Sequence, residues 1–124
     1  MIDRNDNDES RELPTINRCA LVLKPTEAYL AWAKGVPDED EGLSLEEITR
    51  DSTCYLIPEI EGAPQNWLRR NYAAMFASEL ESWCTDERFW PEDRSFKNFK
   101  RFFRVRFHSI VIDMGRGAIV RDDE

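Results

Sequence analysis

A run of apolar side chains at three- and four-residue intervals constrains this chain more than any other feature. Beyond Pro64, apolar residues recur at this spacing at Leu68, Tyr72, Met75, Phe76, Leu80 and Trp83. The spacing predicts an amphipathic helix of about five turns that ends near Cys84. Pro64 suits the first turn, where a backbone N–H is not needed. Because such a helix must bury its apolar stripe, the rest of the chain has to supply a second layer.

Three short segments have the composition of strands and can supply that layer. Residues 18–24 and 53–57 are apolar runs that end at Pro25 and Pro58. After Phe103 the apolar period changes from helical to alternating, which predicts a third strand, and residues 118–120 are a weak candidate for a fourth.

Shorter helices are predicted between these strands. Thr26 can cap a helix that ends at Gly35, and Ser44 with Glu47 has the form of a capping box. Ser95 can cap a further helix, in which phenylalanines recur at helical spacing.

The order of these elements predicts an α+β fold. We expect a two-layer sandwich, in which a small mixed sheet of three to four strands carries its helices on one face. A doubly wound sheet would have strands that are apolar on both sides, and these strands are short and alternating. Residues 1–15 are polar and predict a flexible acidic tail, while residues 16–122 predict a single domain.

Charge and cysteine content narrow the classes of function. The chain of 124 residues carries a net charge of −8, which argues against general binding to nucleic acid or to anionic membranes. No apolar run is long enough to span a membrane, and the N-terminus lacks the pattern of a signal peptide. Cys19, Cys54 and Cys84 fit neither a disulfide framework nor a CxxC motif. We therefore expect a cytoplasmic protein with reduced thiols.

Several short motifs resemble a family of small uncharacterised bacterial proteins. They are Asn17-Arg18, residues 55–59, Trp83 with Thr85-Asp86, Trp90-Pro91, and the stretch from Phe99 through His108 to Asp113. The resemblance covers residues 17–113, nearly the whole predicted fold. It implies a bacterial, cytosolic origin, and it implies no activity, because no activity is established for that family.

No catalytic or metal motif emerges from the reactive residues. His108 is the only histidine, and its neighbour Ser109 points to the opposite face of a strand. We expect Cys19 and Cys54 to face the helices and His108 to face away, which leaves no Cys–His pair. The acidic residues 38–42 do not match the ligand spacing of an EF-hand loop. We therefore predict no catalytic residue, no metal and no cofactor, with an enzyme of unrecognised site as an alternative.

Strand alternation predicts a partly apolar sheet face without helices. If Cys19, Leu21, Leu23, Cys54 and Leu56 face the helices, the residues between them lie on the other side. The candidate binding residues of this open face are Arg18, Val22, Lys24, Tyr55, Ile57, Arg106, His108, Ile110 and Ile112. An uncovered patch of this kind predicts a partner, and a homodimer or another protein is expected. The alternative is that the tail or the last strand covers the patch.

A basic segment near the C-terminus supports a second function. It contains six cations and no carboxylate: Arg94, Lys97, Lys100, Arg101, Arg104 and Arg106. Interleaved phenylalanines are compatible with single-stranded nucleic-acid binding, with Tyr55 as a stacking residue. The alternative is that the phenylalanines form a core stripe and the cations its solvated face. The first hypothesis is therefore a non-catalytic interaction protein that self-associates through the open face, and nucleic-acid binding is second.

Overall fold

The computed structural model describes residues 13–37 and 42–122, and within them it confirms an α+β fold. The strands are β1 (Arg18–Pro25), β2 (Thr53–Pro58) and β3 (Phe103–His108). The helices are α1 (Glu27–Gly35), α2 (Leu45–Thr49), α3 (Pro64–Trp83) and α4 (Phe96–Phe102), with a 3₁₀ turn at Glu87–Phe89. Most of the predicted tail and of the acidic loop, residues 1–12 and 38–41, lies outside the described residues.

The sheet has the strand order β2–β1–β3, and both pairings are antiparallel. The expectation of a mixed sheet was wrong for a topological reason. Because β2 and β3 both run opposite to β1, they are parallel to each other, but β1 lies between them. The helical connection from β2 to β3 therefore passes over the central strand, and no parallel pair is formed.

The core lies between the sheet and its helices. Leu21 and Leu23 from β1 are fully buried, as are Leu68 and Leu80 of α3. Aromatic rings fill much of the remaining volume, and the Phe76 and Phe99 rings meet edge to face with centroids 5.5 Å apart. The phenylalanines of α4 thus belong to the core, as their helical spacing suggested.

Two of the three predicted helix caps are formed. The Ser44 hydroxyl accepts a hydrogen bond from Glu47 N, and the Glu47 carboxylate accepts one from Ser44 N at 3.0 Å, which completes the capping box. The Ser95 hydroxyl caps α4 by accepting from Asn98 N. Thr26 is different, because its hydroxyl donates to the Arg101 carbonyl instead of accepting from the first turn of α1.

The sheet continues beyond its regular strands through a short pairing of the two ends of the domain. Thr15 and Ile112 form an isolated antiparallel bridge. Ile16 N donates to Val111 O and Asp113 N donates to Pro14 O, each at 2.9 Å. Pro14 and Thr15 thus belong to this pairing, although the sequence had placed them in the tail. Residues 118–120, the candidate fourth strand, form no strand.

Candidate functional site: the open sheet face and the C-terminal apolar cluster

Register decides which side chains lie on the open face, because directly paired residues in an antiparallel sheet point to the same side. Val22 pairs with Cys54 on one side and Arg106 on the other, and Ala20 pairs in the same way with Leu56 and His108. The face continues at one end through the pair Lys24 and Arg104, and at the other through the pair Arg18 and Pro58. Val22, Lys24, Arg106 and His108 therefore occupy the face on which the sequence had placed them.

The assignment of β2 was inverted. Tyr55 and Ile57 face the helices, and Ile57 is only 4% exposed, whereas Leu56 is 49% exposed on the open side. The pairing of Ile57 with buried Cys19 requires this orientation. The sequence left the choice open, since Cys54 and Leu56 are as apolar as Tyr55 and Ile57, and a shift by one residue exchanges the two sets.

Ile110 and Ile112 lie beyond the end of β3, which stops at His108. Both side chains are exposed, Ile110 at 71%. They were expected on a continuous third strand, and they belong instead to the segment that pairs with residues 14–16.

These two isoleucines are part of a larger group of exposed apolar side chains. Eight large hydrophobic residues of the described chain are exposed. Apart from Leu56 and Phe89, they are Leu13 and residues between 110 and 120, which flank the Thr15–Ile112 bridge. We call the seven other than Phe89 the C-terminal apolar cluster: Leu13, Leu56, Ile110, Ile112, Met114, Ile119 and Val120.

Two structural features bring this cluster together. The Thr15–Ile112 bridge brings the segment that follows Leu13 alongside Ile112. A cavity of about 380 Å³ lies between β1 and the end of the chain, and its lining includes Ile16, Leu56 and Ile119. The segment after Gly117 therefore returns toward the open face at β2, although its side chains stay largely in solvent.

Ile119 and Val120 were not among the predicted binding residues. Their composition predicted a weak fourth strand, but composition does not show whether such a strand has a partner to pair with. Leu56 was not among the predicted binding residues because the two faces of β2 had been assigned the wrong way round.

The basic residues separate into two groups. On the open face, Lys24 and Arg104 pair at the end of the strands away from the C-terminal apolar cluster, and Arg106 lies beside Val22 in the middle. Arg18 lies at the cluster end, in the lining of the same cavity as Leu56 and Ile119. Arg94, Lys97, Lys100 and Arg101 lie on α4 or just before it and are exposed. They are exposed cations beside partly buried rings. The Lys100 ammonium lies 5.4 Å from the Phe96 ring centroid, and the Arg94 guanidinium lies 5.6 Å from that of Trp90.

The orientation of Tyr55 and the burial of most phenylalanines argue against the base stacking that the nucleic-acid hypothesis required. Tyr55 faces the helices, and its hydroxyl donates a 2.6 Å hydrogen bond to the Glu79 carboxylate on α3. Phe99, Phe102 and Phe103 are buried. His108 is the one aromatic side chain on the described part of the open face, and no Phe, Tyr or Trp lies there as a stacking platform.

Cysteine and histidine do not combine into a reactive pair. Contrary to expectation, Cys54 is exposed on the same face as His108. The two lie on the outer strands with β1 between them, about 10 Å apart by strand spacing alone, too far for proton transfer. Cys19 is buried, and within the described residues no group of three or more potential ligands could hold a metal ion.

A buried polar cluster lies on the helix side of the sheet. Burial raises the pKa of the Tyr55 phenol, and the hydrogen bond to Glu79 raises it further. Burial also raises the pKa of Tyr29, with a smaller contribution from the charge of Glu79. Both phenols thus remain protonated donors at neutral pH.

None of the helices in the described part of the chain is long and apolar enough to cross a membrane. Comparison with protein-family models, with curated proteins and with solved structures finds no match to this chain.

Proposed function

We propose that this chain is a non-catalytic interaction protein that forms a homodimer through its C-terminal apolar cluster. The observation that carries the proposal is the concentration of exposed apolar side chains: seven of the eight large ones in the described residues belong to this cluster. Apolar residues scattered singly on a surface need no explanation, but a concentration of this kind in one part of the chain is typical of an interaction site.

The energetic argument follows from the exposure of these side chains. Fully burying one Leu, Ile, Val or Met side chain contributes about 1.5–3 kcal/mol. Ile110, Met114, Ile119 and Val120 are each more than two-thirds exposed, so nearly all of that contribution is still available to an interface. Part of it is offset by the loss of translational and rotational freedom on association.

The charge of the C-terminal segment favours a second copy of this chain as the partner that covers the cluster. Residues 109–122 contain two aspartates and two arginines, Asp113, Asp122, Arg116 and Arg121, so their formal charge is zero in a chain of net charge −8. Two copies can bring these neutral segments together without repulsion. The cations Lys24 and Arg104 lie four residues along β1 from the Ala20–Leu56 pair, about 14 Å away, and a two-fold axis at the cluster does not force them against each other.

The composition of the N-terminal residues argues against coverage within one chain. Among residues 1–12 only Met1 and Ile2 are apolar. Two such side chains cannot bury seven, so the N-terminal residues are a poor cover for the cluster.

The backbone next to the cluster also has free hydrogen-bonding capacity. Within the described residues, no backbone group of residues 116–120 has a hydrogen-bond partner. Ala118, Ile119 and Val120 have strand-forming character. In the dimer this segment can add to an edge of the partner's sheet, which would satisfy backbone groups and bury apolar side chains together.

We also place the protein in the cytoplasm of a bacterium. The inference is supported by Cys19, Cys54 and Cys84, which are all free thiols, as expected in a reducing compartment. The bacterial origin rests on the sequence resemblance.

Sedimentation velocity over a range of concentrations tests the dimer. The wild type is expected to shift from monomer to dimer as concentration rises, and Ile110→Asp is expected to remain monomeric because it places a charge in the interface. Phe89→Asp is the matched control, since Phe89 is also exposed but lies outside the cluster, and it should dimerise like the wild type. A wild type that stays monomeric at millimolar concentration contradicts the proposal. Equal dimerisation by Ile110→Asp would place the interface elsewhere.

A further inference from the structure

A second site lies on the helix side of the sheet, away from the C-terminal apolar cluster. A cavity of about 150 Å³ opens between α1, α2, α3 and the adjoining ends of β1 and β2. Its lining is Leu23, Pro25, Tyr29, Ile48, Asp51, Ser52, Thr53, Glu79, Ser82 and Trp83. Among the described residues of this lining there are two acids and no Lys, Arg or His.

Glu79 is an unusual group to find in such a place. Its side chain is 9% exposed, and one carboxylate oxygen accepts the hydrogen bond from Tyr55. Within the described residues the other oxygen has no hydrogen-bond donor and the carboxylate has no salt-bridge partner. A buried carboxylate without a cation is costly, so the site favours a positive charge from elsewhere.

Tyr29 supplies a second unsatisfied group in the same lining. Its side chain is only 6% exposed, and within the described part of the chain its hydroxyl has no hydrogen-bond partner. Buried polar groups are rarely left unpaired unless water or a ligand satisfies them. A phenol oxygen can accept a hydrogen bond as well as donate one.

The surroundings of these two groups are also electronegative. Glu79 lies near the C-terminal end of α3, where the carbonyl groups of the last turn carry a partial negative charge. Asp51 adds a second carboxylate at the mouth of the cavity, where it is exposed. Ile48 and Leu23 provide apolar wall, and the rings of Tyr29 and Trp83 provide aromatic surface.

We propose that this cavity binds the primary ammonium group of a small aliphatic amine. An ammonium has three donors and no acceptor, which matches the free oxygen of Glu79, the Tyr29 oxygen and the Asp51 carboxylate. The alkyl chain packs against Ile48 and Leu23, and the aromatic rings favour the cation further. The volume equals that of about five waters in bulk liquid, which limits the ligand to a few non-hydrogen atoms.

The proposal does not depend on dimer formation, because the cavity lies on the opposite side of the sheet from the open face. The dimer and the amine site are therefore tested separately, and either proposal can be wrong without the other.

The test is a titration of the whole protein with n-butylamine, followed by backbone NMR chemical shifts. n-Butanol serves as the neutral ligand of nearly the same size, and sodium chloride matches the ionic strength. Butylamine is expected to give saturable shifts at residues 29, 51–53 and 79–83, and butanol is expected to give none there. Equal shifts with butanol, or no saturable shift with butylamine, would mean that the cavity holds only water and would overturn the proposal.

Two variants assign the binding to the buried carboxylate. Glu79→Gln keeps the size of the side chain and removes its charge, and it should weaken butylamine binding about ten-fold or more. Glu81→Gln is the matched control on the same helix, at an exposed position outside the cavity lining, and should bind as the wild type does. Tyr29→Phe, which leaves the carboxylate in place, should weaken binding by a smaller factor. Unchanged binding in both Glu79→Gln and Tyr29→Phe contradicts the proposed site.

Discussion

The two sides of the sheet differ in how completely they are covered. On the helix side, Leu21, Phe76 and Phe103 are at most 1% exposed and pack within one continuous core. On the open side, Leu56 stays half exposed and Ile110 is mostly in solvent. Both sides are built by the same three strands, so apolar composition alone does not produce a core. A core forms where helices cover the sheet, and the uncovered apolar side is free for a partner.

Neighbouring residues on β2 give the strongest test of this difference. Ile57→Ala should lower the free energy of unfolding by about 2–5 kcal/mol, because it leaves a cavity in the core. Leu56→Ala, one residue away on the open side, should change it by less than about 1 kcal/mol. Urea denaturation at concentrations where the protein is monomeric measures both. Equal costs, or a larger cost at Leu56, would show that β2 has the opposite orientation.

Loss of the Tyr55 hydroxyl should lower the free energy of unfolding by an amount between those of Leu56→Ala and Ile57→Ala. Tyr55→Phe removes the donor to the Glu79 carboxylate, and an unsatisfied buried acceptor costs about 1–3 kcal/mol. Tyr72→Phe is the control, since its hydroxyl makes a longer bond of 3.3 Å to the Arg94 carbonyl near the surface, and it should cost less. The same denaturation experiment compares them, and a larger loss in Tyr72→Phe would contradict the role of the buried pair.

Alkaline pH should lower the free energy of unfolding by a smaller amount, and more gradually. The pKa values of Tyr29 and Tyr55 are raised in the folded protein, first by burial and then by Glu79. Phenols of the unfolded chain lose protons near pH 10, about their ordinary pKa. The stabilisation is therefore fully present below about pH 10 and is lost as the pH rises from there toward the raised folded values. Unfolding free energies measured across this range should fall less steeply in Tyr55→Phe than in the wild type. An equal slope would argue against the raised pKa of Tyr55.

The sequence predicted most of the helix side of the molecule. The period through Leu68, Phe76 and Leu80 identified α3 and its buried stripe, and the capping box at Ser44 is formed. The burial of Cys19, Leu21 and Leu23 followed from simple alternation in β1. These features depend on local spacing, which the sequence contains directly.

Features that depend on pairing between distant segments were not predictable in the same way. The face of β2 is set by its register against β1, and both sets of alternate residues in β2 are apolar. The last segment has the composition of a strand, yet within the described residues it has no partner to pair with. The cavity beside Glu79 combines residues from three helices and the strand ends, and none of its acids stands out in a chain with 25 of them.

The most direct test of the dimer is isotope-filtered NMR on a mixture of labelled and unlabelled protein at high concentration. The methyl groups of Ile110, Ile112, Ile119 and Val120 are expected to give cross-peaks to protons of the other copy, because these side chains form the interface. Methyl groups on the helix side, such as those of Leu68 and Leu80, should give none. Cross-peaks that involve the helices instead, or a complete absence of intermolecular cross-peaks, would contradict an interface at the C-terminal apolar cluster.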